Sequence, residues 1–153
     1  MQNIGFIGTG LMGFPMAKNI LKAGYKVRAF NRSKNKAEPL KDFGAEISNS
    51  IRELVKESHV VITMLTNDDA VNEVLGSDEF LNNLKPNSTV IDMSSVKQTT
   101  AVNHGKNLKS RKINYLDAPV SGGTIGAEEA SLAIMIGGEQ IVFESVKDIL
   151  KSM

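Results

Sequence analysis

The stretch NIGFIGTGLMGFPMA at residues 3–17 decides the fold of this chain. An apolar run of strand type leads into Gly8, Gly10 and Gly13, which have the spacing G-x-G-x-x-G. In a strand-to-helix junction these glycines allow a sharp turn, approach of an anion to the backbone, and close packing of the helix on the strand. An ordinary glycine turn is the alternative. Apolar residues at helical spacing from Met12 to Leu21 favour a pyrophosphate-binding loop at a helix N-terminus.

The rest of the chain alternates short apolar runs with amphipathic segments, which is typical of βαβ units. We predict strands near residues 3–8, 26–31, 60–65, 89–93, 114–117 and 132–136, and a weaker one at 45–47. Ser50 and Asn67 have the positions of helix N-caps. Further helices are expected at 99–108 and 141–150. The pattern predicts a Rossmann-type, doubly wound α/β domain with a mainly parallel sheet, as a single domain.

Composition excludes several classes of function. The 153 residues suit one domain, and the absence of cysteine excludes disulfides, thiolate metal sites and cysteine nucleophiles. Eighteen basic and seventeen acidic residues give a net charge of +1, which speaks against nucleic acid as a partner. The apolar runs have strand length, so we expect no membrane span and a cytoplasmic protein. His59 and His104 lack ligand-spaced neighbours, so no metal site is expected, and His104 is placed on a helix surface.

The end of the second strand bears on the choice of cofactor. In dinucleotide-binding domains a carboxylate about 20 residues beyond the glycine loop binds the ribose hydroxyls of NAD. Here the segment is Asn31-Arg32-Ser33, and Arg32 can stack on adenine or bind a 2′-phosphate. We therefore predict NADP as the cofactor, with NAD as the alternative. A solvated cationic turn is the competing interpretation, weaker for Arg32 and stronger for Lys34 and Lys36.

Several motifs in this order resemble the β-hydroxyacid dehydrogenase family, which includes 3-hydroxyisobutyrate dehydrogenases and semialdehyde reductases. They lie at residues 5–17, 31–32, 60–65, 91–95, 117–123, 126–128 and 134–138. The resemblance implies a Rossmann-type N-terminal domain followed by an all-α substrate and dimerisation domain. It also implies hydride transfer between NADP(H) and a small β-hydroxy acid or semialdehyde, and a homo-oligomer for the full-length enzyme.

The resemblance also assigns roles to individual residues. It implies that Leu11 and Met12 offer backbone groups to the pyrophosphate, that Leu65 and Thr66 line the cofactor cleft, and that Ala70 flanks it. Ser95 would lie near the nicotinamide. The loop Ser121, Gly122 and Gly123 would hold the substrate carboxylate, although a simple strand-to-helix turn is the alternative. The predicted cofactor-binding residues are Gly8, Gly10, Leu11, Met12, Gly13, Asn31, Arg32, Ser33, Leu65, Thr66, Ala70 and Ser95.

This sequence departs from the family pattern near the nicotinamide. Thr66 stands where the family usually has proline, and residues 96–99 lack the usual proline before the threonine. The family's catalytic lysine lies on a helix of the next domain, beyond Met153, and we interpret Lys147 and Lys151 as solvated charges. We therefore expect residues 1–153 to be a truncated dinucleotide-binding domain without a catalytic residue and with little turnover.

Two alternatives stay open at this point. One is a non-catalytic nucleotide-binding or interaction module, and the other is a dehydrogenase of similar plan such as 6-phosphogluconate dehydrogenase.

Overall fold

A six-stranded parallel sheet forms the centre of the domain in the computed structural model, which describes residues 2–153. The strands lie in the order β3-β2-β1-β4-β5-β6, and every neighbouring pair is parallel. This is the doubly wound order of dinucleotide-binding folds, so the predicted fold class is confirmed. The strands are β1 (Asn3–Ile7), β2 (Lys26–Phe30), β3 (Glu46–Ile47), β4 (Val60–Thr63), β5 (Thr89–Asp92) and β6 (Asn114–Asp117).

Helices cover both faces of the sheet. They are α1 (Gly13–Lys22), α2 (Ile51–Glu57), α3 (Asp68–Leu75), α4 (Asp78–Leu81), α5 (Gln98–Ser110), α6 (Gly123–Glu129) and α7 (Gln140–Leu150), with 3-10 helices at Lys34–Lys36 and Glu38–Phe43. Both predicted N-caps are confirmed. Ser50 Oγ accepts a hydrogen bond from the Glu53 N–H at 3.1 Å, and Asn67 Oδ1 accepts one from the Ala70 N–H at 2.9 Å.

The sheet separates two apolar cores. On one face Phe6 and Ile62 pack with Met16 of α1, and on the other Val61 and Val90 pack among the side chains of α2, α3 and α5. The central strands β4 and β5 are buried on both faces, which is why apolar residues fill most of their sequences, VVIT and TVID. This packing brings the carboxyl ends of β1, β2, β4 and β5 to one edge of the sheet.

The predicted strand at 132–136 differs from the structure. Only Ala133–Ile134 (β8) is a strand, and it pairs antiparallel with Val120–Ser121 (β7) in a separate two-stranded sheet. A parallel crossover needs a dozen or more residues, whereas the short helix α6 is the only element between β7 and β8. The chain therefore turns back beside β7, and Met135 donates its N–H to the Pro119 carbonyl at 2.9 Å.

His104 is a second difference. It was expected on a helix surface, but it is only 9% exposed, because α5 packs against α3 and covers this side chain. Its Nε2 lies 2.7 Å from Asn72 Oδ1. Within residues 2–153, none of the helices has the length and apolar character required to cross a membrane.

Candidate functional site

The glycine loop joins β1 to α1 and has a shape that two of its glycines enforce. Gly8 has a φ of +99°, and a Cβ built there would lie 2.2 Å from the Met64 carbonyl oxygen. A Cβ on Gly13 would lie 1.8 Å from the Gly8 carbonyl oxygen. Gly10 differs, since a Cβ built on it meets no atom within 4 Å. Two glycines are thus required by the protein's own packing, whereas Gly10 leaves open space above the backbone.

Side-chain hydrogen bonds fix the loop from the second strand. Thr9 is 2% exposed, donates its N–H to Asn31 Oδ1 at 2.9 Å, and donates its hydroxyl to the Lys36 carbonyl at 3.0 Å. The Asn31 amide also donates to the Ser33 carbonyl at 3.0 Å. The side-chain oxygen and the side-chain nitrogen of Asn31 thus both bind backbone groups, which was not expected from the sequence.

Two backbone N–H groups of the loop are left without a partner in the described chain. Among residues 2–153, no hydrogen-bond acceptor is found for the N–H groups of Leu11 and Met12, and the Leu11 side chain is 85% exposed. Such N–H groups beside a helix N-terminus suit a bound phosphate.

A cavity of about 390 Å³ runs from the glycine loop to the end of β2. It brings together most of the predicted cofactor-binding residues, which are Gly8, Gly10, Asn31, Arg32, Ser33, Leu65, Thr66 and Ala70. Leu11 instead lines a second cavity of about 620 Å³ on the other side of Gly10. Met12, Gly13 and Ser95 line neither cavity.

Sequence reasoning missed part of the cavity wall. Phe30, Ile51, Glu73 and Val74 also line it. The sequence does indicate Glu73 and Val74, because they follow Ala70 by three and four residues and therefore share its helix face. Phe30 and Ile51 carried no such signal, since their place in the wall depends on how β2 and α2 pack in three dimensions.

The cations near the end of β2 differ in their surroundings. Arg32 is exposed, and in residues 2–153 it has no carboxylate oxygen within 4.0 Å. Lys34 is engaged, with its Nζ 2.8 Å from Asn49 Oδ1 and 3.9 Å from Glu38 Oε1. Lys36 lines both cavities. Arg32 and Lys36 therefore remain available to an anion at this end of the cavity.

A buried carboxyl organises the far edge of the site. Asp92 is fully buried at the end of β5, where its Oδ1 accepts hydrogen bonds from Thr63 Oγ1 at 2.9 Å and from the Ser94 N–H at 3.1 Å. Ser94 Oγ in turn accepts from the Leu65 N–H at 2.8 Å. Burial raises the pKa of Asp92 above its ordinary value, although the hydrogen bonds from Ser94 and Thr63 oppose the shift. This network connects the loop after β4 to the loop after β5.

Three further titratable groups lie near Asp92. Burial, and then the charge of Asp92, raise the pKa of Asp117 and of Tyr115, while burial lowers the pKa of His104 against the opposing effect of Asp92. All three shifts are toward the neutral form, because burial penalises the charged form of each group.

The predicted substrate loop lies outside the 390 Å³ cavity. Ser121 ends β7, and Gly122 and Gly123 follow with φ of +139° and +62°, a backbone region that favours glycine. All three residues are exposed. Asn19 connects the following helix to the glycine loop's helix, because its amide donates to the Ala127 carbonyl across α1 and α6 at 2.6 Å.

Comparisons with known proteins agree with a dinucleotide-binding domain. Residues 3–153 match the family described as the NAD binding domain of 6-phosphogluconate dehydrogenase. An oxidoreductase of Bacillus subtilis is 41% identical over 153 residues, which are 99% of this chain and 53% of that protein. The mitochondrial 3-hydroxyisobutyrate dehydrogenase of Drosophila melanogaster is 36% identical over 152 residues, covering 99% of this chain and 47% of the relative.

A solved structure shows the same architecture. The Mycobacterium tuberculosis 3-hydroxyisobutyrate dehydrogenase with L-serine has a TM-score of 0.95 and 35% identity, covering 100% of this chain and 52% of that one. The chain thus spans about half the length of the relatives it matches. Because the family match extends over residues 3–153 and the similar proteins include 3-hydroxyisobutyrate dehydrogenases, the chain belongs to the β-hydroxyacid dehydrogenase family and is a nicotinamide dinucleotide-binding domain of that family.

Proposed function

We propose that this domain binds NADP(H) in preference to NAD(H), with the diphosphate over Gly10 and the adenosine in the 390 Å³ cavity. The observation that carries this proposal is the contrast within the glycine loop, where only the Gly10 position opens onto empty space. A diphosphate there meets backbone N–H groups without a Cβ in the way.

Arg32 supports the preference for the 2′-phosphate. It lines this cavity together with Ser33, and it has no carboxylate partner in the described chain. A guanidinium can bind a phosphate through two parallel hydrogen bonds, and these charge-assisted bonds are stronger than neutral ones. Glu73 is the carboxylate residue that lines this cavity, and it comes from α3 and not from the end of β2.

For the whole protein we propose a dehydrogenase that acts on a small β-hydroxy acid or its semialdehyde. When bound, the nicotinamide supplies the hydride acceptor or donor. In this chain the remaining contribution is positional: Ser95 would border the nicotinamide, and Ser121, Gly122 and Gly123 would hold the substrate carboxylate. The general acid or base would come from a lysine outside residues 1–153. We also propose that the whole protein is a cytoplasmic homo-oligomer that binds neither nucleic acid nor membrane. The balanced charge speaks against nucleic acid, the lack of cysteine suits a reducing compartment, and the homo-oligomer follows from the family resemblance.

The test is a calorimetric titration of the 153-residue chain with NADPH and with NADH. We expect tighter binding of NADPH, and we expect Arg32→Ala to weaken NADPH binding while leaving NADH binding nearly unchanged. Lys34→Ala is the matched control, because Lys34 is already engaged by Asn49 and Glu38. Equal affinity of the wild-type chain for both cofactors would contradict the proposed preference, and binding of neither would contradict the proposed site.

A further inference from the structure

The loops that follow β4 and β5 are joined at two points. The buried link is the hydrogen bond from the Leu65 N–H to Ser94 Oγ at 2.8 Å. The second link lies farther out, where Asp68 Oδ2 accepts hydrogen bonds from the Lys97 N–H at 3.0 Å and from Thr100 Oγ1 at 2.6 Å. The two residues between these links on the second loop are Ser95 and Val96. Their segment is therefore held at both ends by the neighbouring loop.

Asp68 does more than begin its own helix. The N-cap of α3 is Asn67, which already accepts the hydrogen bond from Ala70. The N-cap of α5, in contrast, is Lys97, which makes no side-chain capping hydrogen bond. Asp68 contacts this end of α5 from a different helix, because it accepts hydrogen bonds from the N–H of the N-cap residue Lys97 and from the hydroxyl of Thr100 in the first turn.

Asp69 provides the natural comparison. It shares the first turn of α3 and so has the same favourable interaction with the helix dipole. Among residues 2–153 no hydrogen bond or ion pair is found for its carboxylate, and the side chain is exposed. Any effect specific to Asp68 must therefore come from its contacts with α5.

We propose that Asp68 is a positioning residue that fixes the Ser95 segment relative to the Leu65 and Thr66 wall, and that it thereby strengthens binding of the nicotinamide half of the dinucleotide. The inference rests on the proposed function. The adenosine half depends on residues from β2 and on the cavity wall, which the inner link between Leu65 and Ser94 still holds when Asp68 is removed.

The protonation of Asp68 is compatible with this role. The Thr100 hydroxyl, and then the Lys97 N–H, hold the pKa of Asp68 below its ordinary value. The group is thus an ionised acceptor of two hydrogen bonds at neutral pH.

The experiment compares two ligands on the 153-residue chain. NADPH carries both halves of the dinucleotide, whereas 2′,5′-ADP carries the adenosine and its 2′-phosphate without the nicotinamide. For Asp68→Ala and for Thr100→Val we expect NADPH affinity to fall by about three- to tenfold, which is less than the more than tenfold fall for direct loss of a hydrogen bond to a charged group, because Asp68 acts on the cofactor only through the Ser95 segment. The affinity for 2′,5′-ADP should stay unchanged in both variants.

Controls separate positioning from loss of structure. Asp69→Ala should leave both affinities unchanged, and Asp68→Asn should restore part of the NADPH affinity because its side-chain oxygen still accepts. An equal fall for both ligands in Asp68→Ala, or no fall for NADPH, would overturn the inference while leaving the proposed function intact. If the wild-type chain binds neither ligand, the proposed function fails and this inference with it.

Discussion

Replacement of Gly10 by alanine separates the requirements of the cofactor from those of the fold. A Cβ at this position meets no protein atom within 4 Å, and Gly10 is not among the glycines with positive φ. An alanine therefore fits the folded chain without strain. It also reduces the freedom of the unfolded chain, so Gly10→Ala should leave the free energy of unfolding unchanged or raise it by about 0.4–1 kcal/mol.

The same methyl group occupies the space that we assign to the diphosphate. Displacement of the diphosphate by a methyl group would break hydrogen bonds from backbone N–H groups to a charged oxygen, each worth about 1.5–3 kcal/mol. The loss of even one such bond corresponds to a tenfold or larger fall in affinity, since 1.4 kcal/mol is a factor of ten. We therefore expect Gly10→Ala to bind NADPH at least about tenfold more weakly than the wild type.

Urea denaturation and calorimetric titration, carried out on the same preparations, check both expectations. Gly13→Ala is the comparison variant, because its Cβ would lie 1.8 Å from the Gly8 carbonyl oxygen. The atom that the new Cβ meets belongs to the backbone and cannot rotate away as a side chain could. We therefore expect Gly13→Ala to lower the free energy of unfolding by about 1–3 kcal/mol even without cofactor. If Gly10→Ala keeps wild-type NADPH affinity, the diphosphate does not lie over Gly10, and the reasoning about the loop is refuted.

Three further perturbations address side chains that hold the site and the fold in place. Asn31→Leu should cost about 1–3 kcal/mol in urea denaturation, because it leaves the buried Thr9 N–H without an acceptor; an unchanged midpoint would contradict this. Burial raises the pKa of Asp92 above 3.8, so its contribution to stability is present below that value and is lost as the pH rises through the folded-state pKa. Asp92→Asn should therefore flatten the pH dependence of the unfolding free energy above pH 3.8, and an identical profile would count against this expectation. Ser50→Ala should lower the unfolding free energy by about 1 kcal/mol without a change in NADPH affinity, as measured by denaturation and titration together.

The sequence predicted the fold well where a pattern is local. The glycine spacing, the largely apolar strands β4 and β5 and the caps at Ser50 and Asn67 each depend on residues close in the chain, and all were confirmed. The segment at 132–136 contains a strand, as predicted, but the strand is limited to Ala133–Ile134 and lies outside the parallel sheet, because its pairing partner depends on the length of the connection after β7. Local pattern carries no information on that choice.

The site was predicted in outline but not in its connections. Most of the residues expected to bind the cofactor lie around one cavity, because the carboxyl ends of parallel strands meet at one edge. The interactions of Asn31 with Thr9 and of Asp68 with α5 were not foreseen, since each joins residues more than twenty positions apart through side-chain geometry. His104 was misplaced for the same reason, because the covering helix α3 lies far from it in the sequence.

Asn31 and Arg32, which follow β2, have separate roles, and this has a consequence for protein engineering. Asn31 maintains the shape of the phosphate loop through Thr9, whereas the Arg32 side chain extends from the same turn without a hydrogen bond that the loop requires. A redesign toward the non-phosphorylated coenzyme can therefore exchange the cation for a neutral or acidic side chain and keep the adjacent amide. In a library that randomises positions 31 and 32 together, we expect most variants to have a distorted glycine loop. Positions 32 and 33 should therefore be randomised while Asn31 is kept.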